Sequence, residues 1–215
     1  MFKEIVIMSP MALKKGLRIF FSLSVFVLTI TDLCSCQVPQ NEVLDTAQPS
    51  SKDSAEPVDP ISLIDSTLLP AADQPCREPI LVDVDYVIDG DTFNAQGSVR
   101  EERVRVIGVN TPELGYDGDQ DECYAQEAKS KLEDLIAHRK VWLTFDQTCV
   151  DFYDRTLAYV HVGLAEQDFV QRTLLRQGFG RAFPFEDTPA FQDLFEADES
   201  IAQQNNSGGW EACSW

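Results

Sequence analysis

Three short segments of the chain combine acidic side chains with arginines. They are residues 87–92 (VIDGDT), 103–113 (RVRVIGVNTPE) and 151–159 (DFYDRTLAY). Carboxylate and amide oxygens are ligands that a hard cation such as Ca2+ accepts. The planar fork of an arginine can hold two oxygens of one phosphate. A cation, a positioned water and arginines on the developing negative oxygens are what the hydrolysis of a phosphodiester requires.

Each of these segments alone has an ordinary structural interpretation. Residues 89–91 (DGD) are typical of a solvated turn, and Arg105 alternates with valines as an outward-facing strand residue would. Residues 110–113 resemble a turn followed by the start of a helix, and Arg155 has two aspartates within four residues as ion-pair partners. The segments therefore support a functional argument only in combination.

The hydrophobic periodicity predicts the elements that must position these segments. Alternation predicts strands over residues 81–88, 99–109, 141–145 and 156–162, with a turn over 94–97. Helical spacing predicts helices over 124–138, 167–177 and 188–204, the last with Thr188 as its N-cap and Pro189 at its first position. Strand-rich halves separated by one helix are typical of a small, partly open barrel of the OB type.

Taken together and in this order, the three segments resemble the thermonuclease (staphylococcal nuclease) family. The resemblance extends over residues 82–210 and includes Tyr124, residues 175–178 (LRQG) and Trp210. It implies an α+β fold, an OB-fold five-stranded β-barrel with about three α-helices. We place this domain at residues 76–215.

The resemblance also implies a calcium site. It assigns the protein ligands of Ca2+ to the Asp91 carboxylate, the Asn110 side chain and the backbone carbonyl of Thr111. Asp89 and Thr92 are expected beside the metal, where they support its ligands. Asn110 stands where the family prototype has an aspartate, which removes one negative charge and lowers the expected calcium affinity.

Four further roles follow from the family's reaction, the hydrolysis of nucleic acid. Glu113 matches the glutamate that orients or deprotonates the attacking water. Arg105 and Arg155 match two arginines that grip the phosphate, and Tyr153 matches a tyrosine that contacts a neighbouring phosphate. Phe152 replaces a lysine of the family, which deletes one substrate contact and offers a ring for stacking. Residues 183–185 (FPF) fall where the family presents tyrosines to the substrate base.

The first 36 residues have the pattern of an export signal. Lys14, Lys15 and Arg18 precede an apolar run over residues 19–30 that is too short to span a bilayer comfortably. Residues 33–36 (LCSC) resemble a bacterial lipobox with Cys36 as the lipidated residue, and an ordinary secretory signal is the alternative. We expect an exported protein, either attached to the cell envelope through a lipid on Cys36 or secreted or periplasmic.

Residues 37–75 differ in composition from the rest of the chain. They contain six Pro and five Ser and no aromatic residue, and seven of them are acidic. Such a stretch cannot bury enough apolar area to offset the entropy of ordering the chain, which predicts a disordered acidic linker.

The remaining cysteines are Cys76, Cys123, Cys149 and Cys213. An even number in an exported domain predicts two disulfides, and four cysteines allow three pairings. Because Cys76 and Cys213 bracket the domain, we predict one bond between them and a second bond between Cys123 and Cys149.

The formal charge of −19 argues at first against a polynucleotide partner, since phosphate contacts require Lys and Arg. The excess lies in the domain itself, where residues 77–215 hold 12 basic and 27 acidic residues. We therefore expect weak polynucleotide affinity and activity that rises with added salt or divalent cations. The hypothesis is a monomeric, exported, calcium-dependent nuclease acting on DNA and, as a second substrate class, RNA. The alternative is a non-catalytic OB-type module that binds nucleic acid or protein.

Overall fold

The structure, a computed structural model, describes residues 58–184, 190–213 and 215. The predicted export signal, Cys36 and most of the predicted linker lie outside these residues. The described part of the chain contains seven strands, β1 (Ile80–Val87), β2 (Thr92–Gln96), β3 (Glu101–Val106), β4 (Gly108–Asn110), β5 (Lys140–Thr144), β6 (Thr156–His161) and β7 (Arg181–Phe183). Its four α-helices are α1 (Ala125–Ile136), α2 (Val170–Arg176), α3 (Gln192–Asn205) and α4 (Gly209–Ala212). None of these helices is long and apolar enough to cross a bilayer.

Five strands close a barrel in the order β1-β2-β3-β6-β5, and β1 pairs with β5 to complete it. Four of the pairings are antiparallel, whereas β3 and β6 run parallel with Arg105 opposite Leu157. Strands β4 and β7 form a separate two-stranded sheet in which Asn110 lies opposite Arg181. The prediction of an α+β, OB-type five-stranded barrel is confirmed.

The barrel interior is filled by the apolar residues of alternating strand positions. Phe93, Val104 and Leu143 are fully buried there, and burying a side chain of this size contributes on the order of 2 kcal/mol. Helix α1 covers the barrel with Leu132 and Ile136, which helical periodicity places on one face. The strands are therefore held from both sides, and the turns at their ends have fixed positions.

Three of the predicted boundaries differ from the structure. The prediction of a turn over 94–97 is wrong, because β2 continues through Gln96 and pairs along its length with β3. The single strand predicted over 99–109 is divided into β3 and β4. Helix α3 begins at Gln192, later than predicted, and the proposed capping residues Thr188 and Pro189 lie outside the described residues.

The prediction of a disordered linker is wrong for residues 58–75. Short 3-10 helices at Pro60–Leu63 and Ser66–Leu68 bring Ile61 and Leu69 into buried positions. The Trp142 Nε1 donates to the carbonyl of Ile61 at 3.0 Å, and the Thr144 hydroxyl donates to the carbonyl of Pro70 at 2.7 Å. The folded domain therefore begins before the predicted boundary at Cys76.

The chain forms two disulfides as predicted, but the predicted pairing is wrong. The bonds join Cys76 to Cys149 and Cys123 to Cys213. The first follows from the pairing of β1 with β5, which brings the residues before β1 beside those after β5. The Cys76 N–H accordingly donates to the carbonyl of Asp146 at 2.8 Å.

His161 is a buried residue of β6. Its Nε2 lies 2.9 Å from the Thr144 hydroxyl, and its ring packs on Phe169 at 4.5 Å between centroids. Because that hydroxyl donates its own proton to Pro70, the Nε2–H donates to Thr144. Burial lowers the pKa of His161 from 6.5 to about 4, so the ring is neutral in the folded protein at pH 7.

This burial should make stability depend on pH. The unfolded chain takes up a proton at His161 near pH 6.5, whereas the folded chain does so only near pH 4, so stability falls as pH falls through this window. We expect a loss on the order of 3 kcal/mol between pH 7 and pH 4 from this residue. Urea unfolding of the wild type and of His161→Gln across this range measures it. Parallel pH dependences of the two proteins would contradict the assignment.

Candidate active site

The turn between β1 and β2 places Asp91 in a buried position with few degrees of freedom. Its Oδ2 accepts hydrogen bonds from the Thr111 N–H at 2.9 Å and the Thr111 hydroxyl at 3.2 Å. Its Oδ1 accepts from the Thr92 hydroxyl at 3.2 Å, and Asp89 accepts the Asp91 N–H at 3.0 Å. The carboxylate therefore has a defined orientation, and Asp89 and Thr92 contribute to it through these two hydrogen bonds.

A glycine is needed at position 90 because two other segments approach this turn closely. A Cβ there would lie 2.5 Å from the Thr111 hydroxyl oxygen and 2.8 Å from the Cβ of Ala128 in α1. Both distances are shorter than van der Waals contact. Gly90 thus allows the turn, the segment after β4 and α1 to meet around Asp91.

Arg105 is buried beside Asp91, although its position in an alternating strand suggested an outward-facing residue. Its Nη2 lies 3.1 Å from Asp91 Oδ2 and donates to Asn110 Oδ1 at 3.1 Å. Its Nη1 donates to the carbonyls of Val106 at 2.5 Å and Val109 at 2.9 Å. These contacts hold the planar guanidinium in one orientation at the end of the barrel.

The loop between β5 and β6 presents Arg155 from the neighbouring strand. Asp151 Oδ1 accepts the N–H groups of Tyr153 and Arg155, each at 2.9 Å, and its Oδ2 accepts Arg155 Nε at 2.7 Å. Asp154 closes the turn in a left-handed conformation, with φ at 61°. The ion pair considered from the sequence is present, and it serves to orient Arg155 through Nε.

Tyr153 is 74% exposed, and its ring centroid lies 5.4 Å from the guanidinium carbon of Arg155. The neighbouring Phe152 is also exposed and packs edge-on against the Tyr153 ring. Two open aromatic rings beside an arginine form a surface on which a nucleobase or sugar can rest. The expected substrate-contact position of Tyr153 is compatible with this exposure.

Glu113 follows β4 and is held through its backbone by Glu122. The Glu113 N–H donates to Glu122 Oε2 at 3.0 Å, and the Glu122 N–H donates to the Glu113 carbonyl at 2.9 Å. Asp121 holds the same loop by accepting the Gly115 N–H at 2.8 Å. Two acidic side chains of this loop, Asp121 and Glu122, therefore bind backbone N–H groups, a use for which acidic composition alone gave no signal.

The carboxylates and guanidinium groups of these segments shift the pKa values of Glu113 and Asp91. Partial burial raises the pKa of Glu113, the carboxylates of Asp89 and Glu122 raise it further, and Arg105 and Arg155 oppose the increase. Burial raises the pKa of Asp91 to about 6, against the effect of Arg105 and with added repulsion from Asp89 and Glu113. The three sequence segments therefore meet in one cluster of carboxylates and arginines.

The predicted calcium ligands are brought together in part. Asp91 and Asn110 direct one oxygen each toward the same Arg105 nitrogen, and Thr111 lies against Asp91 through its N–H and hydroxyl. Within the part of the chain that the structure describes, no group of three or more His, Cys, Asp or Glu has a metal-binding arrangement. One carboxylate and one amide oxygen fit a hard cation that keeps most of its water ligands.

Comparisons with known proteins agree with this geometry. The family model described as staphylococcal nuclease homologue matches residues 103–212, about half of the chain. A thermonuclease of Staphylococcus intermedius is 32% identical over 128 residues, which are 60% of this chain and 74% of that protein. The chain belongs to the staphylococcal nuclease family. Within this family it is an enzyme of the endonuclease class.

The chain also matches two further relatives, and the match covers a smaller share of each of them. Endonuclease YncB of Bacillus subtilis is 33% identical over 136 residues, 62% of this chain and 63% of that protein. A micrococcal nuclease of Shigella flexneri is 24% identical over 124 residues, 55% of this chain and 67% of that protein. The matched region of the family model includes Arg105, Glu113 and Arg155.

Proposed function

We propose that this chain is an exported, calcium-dependent nuclease that hydrolyses phosphodiester bonds of DNA and also of RNA with low sequence preference. The observation that carries the proposal is the single cluster formed by Asp91, Arg105, Glu113 and Arg155, which lies beside the exposed ring of Tyr153. The names of the relatives support the reaction class and leave the cation and the substrate open.

Glu113 is proposed as the group that positions the attacking water and takes its proton. Its pKa is raised by partial burial and by the neighbouring carboxylates, which makes it a stronger base than an exposed glutamate. Its backbone is fixed by the two hydrogen bonds with Glu122, which hold the side chain at this edge of the site.

Arg105 and Arg155 are proposed to bind the reacting phosphate and the negative charge that develops on it. Both guanidinium groups are oriented before substrate binds, Arg105 by backbone carbonyls and Arg155 by Asp151. Donors fixed in this way stabilise the transition state without reorganisation. Contacts to phosphate carry no sequence information, which accounts for the low sequence preference.

Asp91, Asn110 and Thr111 are proposed to hold Ca2+. A bound calcium ion would supply a positive charge that polarises the phosphate and its water ligands. Asp91, Asn110 and Thr111 could present four oxygens, namely two of a carboxylate, one of an amide and one of a backbone carbonyl, and all are hard ligands of the kind calcium prefers. Asn110 in place of an acidic ligand leaves the site less negative, so we propose a low calcium affinity.

Export is proposed from the N-terminal sequence and from the disulfides. Two disulfides in one small domain are typical of proteins that fold in an oxidising compartment. We propose that the mature protein is a monomer, attached to the envelope through a lipid on Cys36 or released. Mass spectrometry of the mature N-terminus distinguishes the two forms.

The test is digestion of single-stranded DNA by the purified mature chain. We expect cleavage with calcium, loss of cleavage with EDTA, and recovery when calcium is restored in excess. Asp91→Asn should need a higher calcium concentration, because it removes the buried negative charge of the site. Absence of cleavage at every calcium concentration would refute the proposal. Binding of a nucleotide bisphosphate without cleavage would then favour the non-catalytic module.

A further inference from the structure

Most Lys and Arg side chains in the described part of this acidic domain already have a charged or aromatic partner. Among the described residues, eight of the Lys and Arg side chains form ion pairs, namely Arg77, Arg100, Arg105, Lys129, Lys140, Arg155, Arg172 and Arg176. Lys131 and Arg181 lie over the rings of Phe179 and Trp215. In the same residue ranges, Arg103 and Arg139 have neither an ion pair nor an aromatic partner, and both are exposed.

Arg103 lies next to the active site. It is two residues from Arg105 in β3, so the two side chains leave the same face of the strand roughly 6.6 Å apart. Together with Arg100, Tyr153 and Thr156 it lines an open groove of about 330 Å³, which we call the β3 groove. Tyr153 lines this groove, and its ring centroid lies 5.4 Å from the guanidinium carbon of Arg155, so one polynucleotide strand can contact both.

The carboxylates of the β3 groove do not neutralise Arg103. Glu102 is buried and bound by Arg77, Arg100 and the Thr156 hydroxyl. Burial alone would raise its pKa, but these hydrogen bonds lower the pKa of Glu102.

Glu101 accepts a hydrogen bond from the Asn94 side-chain amide at 3.3 Å. Asp154 lies in the turn that precedes Arg155. Among the described residues, neither Glu101 nor Asp154 forms an ion pair with Arg103, so the charge on Arg103 stays available to a ligand of opposite charge.

Resting on the proposed nuclease function, we propose that the β3 groove binds a backbone phosphate of the polynucleotide beyond the one being cleaved, with Arg103 as its cation. Phe152 leaves the Tyr153 loop without the lysine that the family resemblance led us to expect there. Arg103 supplies a cation to the same surface from the adjacent strand. The groove therefore extends substrate binding by one phosphate and favours long substrates over short ones.

Substrate length provides the test. The measured quantity is the length preference, the kcat/KM for an oligothymidylate of about twelve nucleotides divided by the kcat/KM for a dinucleotide. We expect Arg103→Ala to lower this ratio by roughly fivefold, and Arg103→Lys to keep most of the ratio. The matched control is Arg139→Ala, which removes the other unpaired exposed arginine and should leave the ratio unchanged. A ratio that is the same in Arg103→Ala and Arg139→Ala would overturn the proposal.

A binding measurement separates this inference from the proposed function. In the Glu113→Gln background with calcium, the salt dependence of oligothymidylate binding should become shallower by about 0.7 in log–log slope when Arg103 is replaced by alanine. Equal weakening of a nucleoside bisphosphate and of the oligothymidylate would place Arg103 at the reacting phosphate and overturn the separate subsite. Absence of cleavage by the wild type would contradict the proposed function, whereas an unchanged salt slope in the Arg103→Ala variant would contradict the role of the β3 groove.

Discussion

Replacing Glu113 by glutamine should lower kcat on single-stranded DNA by roughly 10²- to 10⁴-fold, with a much smaller effect on KM. Glutamine keeps the size of the side chain and both backbone hydrogen bonds to Glu122, because these use only the N–H and carbonyl of residue 113. It cannot accept the proton of the attacking water. Steady-state kinetics at saturating calcium measure the effect.

Glu127→Gln is the matched control for Glu113→Gln. Glu127 is an exposed residue in the first turn of α1, and its replacement removes the same charge from the same region of the surface. We expect less than about a twofold change in kcat for this variant. A Glu113→Gln protein that keeps a tenth or more of the wild-type kcat would exclude Glu113 as the base.

Removing the Cys123–Cys213 disulfide in a Cys123→Ser/Cys213→Ser variant should lower the free energy of unfolding by about 2–5 kcal/mol. The bond joins residues 90 positions apart, so it removes much conformational freedom from the unfolded chain. Cys123 also directly follows Glu122, which holds the backbone of Glu113. The variant should therefore lose kcat in addition to stability.

Urea unfolding under non-reducing conditions measures the stability change. Comparison with the Cys76→Ser/Cys149→Ser variant separates the two bonds, since the Cys76–Cys149 loop has a similar sequence separation of 73. Dithiothreitol provides the control. In the Cys123→Ser/Cys213→Ser variant it should lower the stability only by reducing the remaining disulfide, Cys76–Cys149. A variant within about 1 kcal/mol of the wild type would show that this bond adds little to the stability.

The candidate site residues lie in short local motifs, and the family resemblance singled out these motifs without any knowledge of their contacts. Asp91 and Arg155 occupy turns at strand ends, whereas Arg105 lies within β3. Alternation in the sequence indicates a strand but not what covers it. The burial of Arg105 depends on β4, which lies over it and accepts a hydrogen bond from Arg105 at the carbonyl of Val109.

The errors concern contacts between distant parts of the chain. The disulfide pairing and the packing of residues 58–75 both depend on the β1–β5 pairing, which no local pattern specifies. The backbone hydrogen bonds accepted by Asp151 and Glu122 were missed for a related reason. An acidic side chain in a loop is ordinarily solvated, and only the folded backbone shows which N–H groups it binds.

The parallel pairing of β3 with β6 determines when the active site can form. Arg105 lies in β3, and Arg155 directly precedes β6, so the two arginines come together only when these two strands, which are distant in the sequence, have paired. Long-range pairings form late, because the intervening chain must lose its freedom before the contacts exist. Partly folded chains and chains truncated before β6 therefore lack the paired arginines.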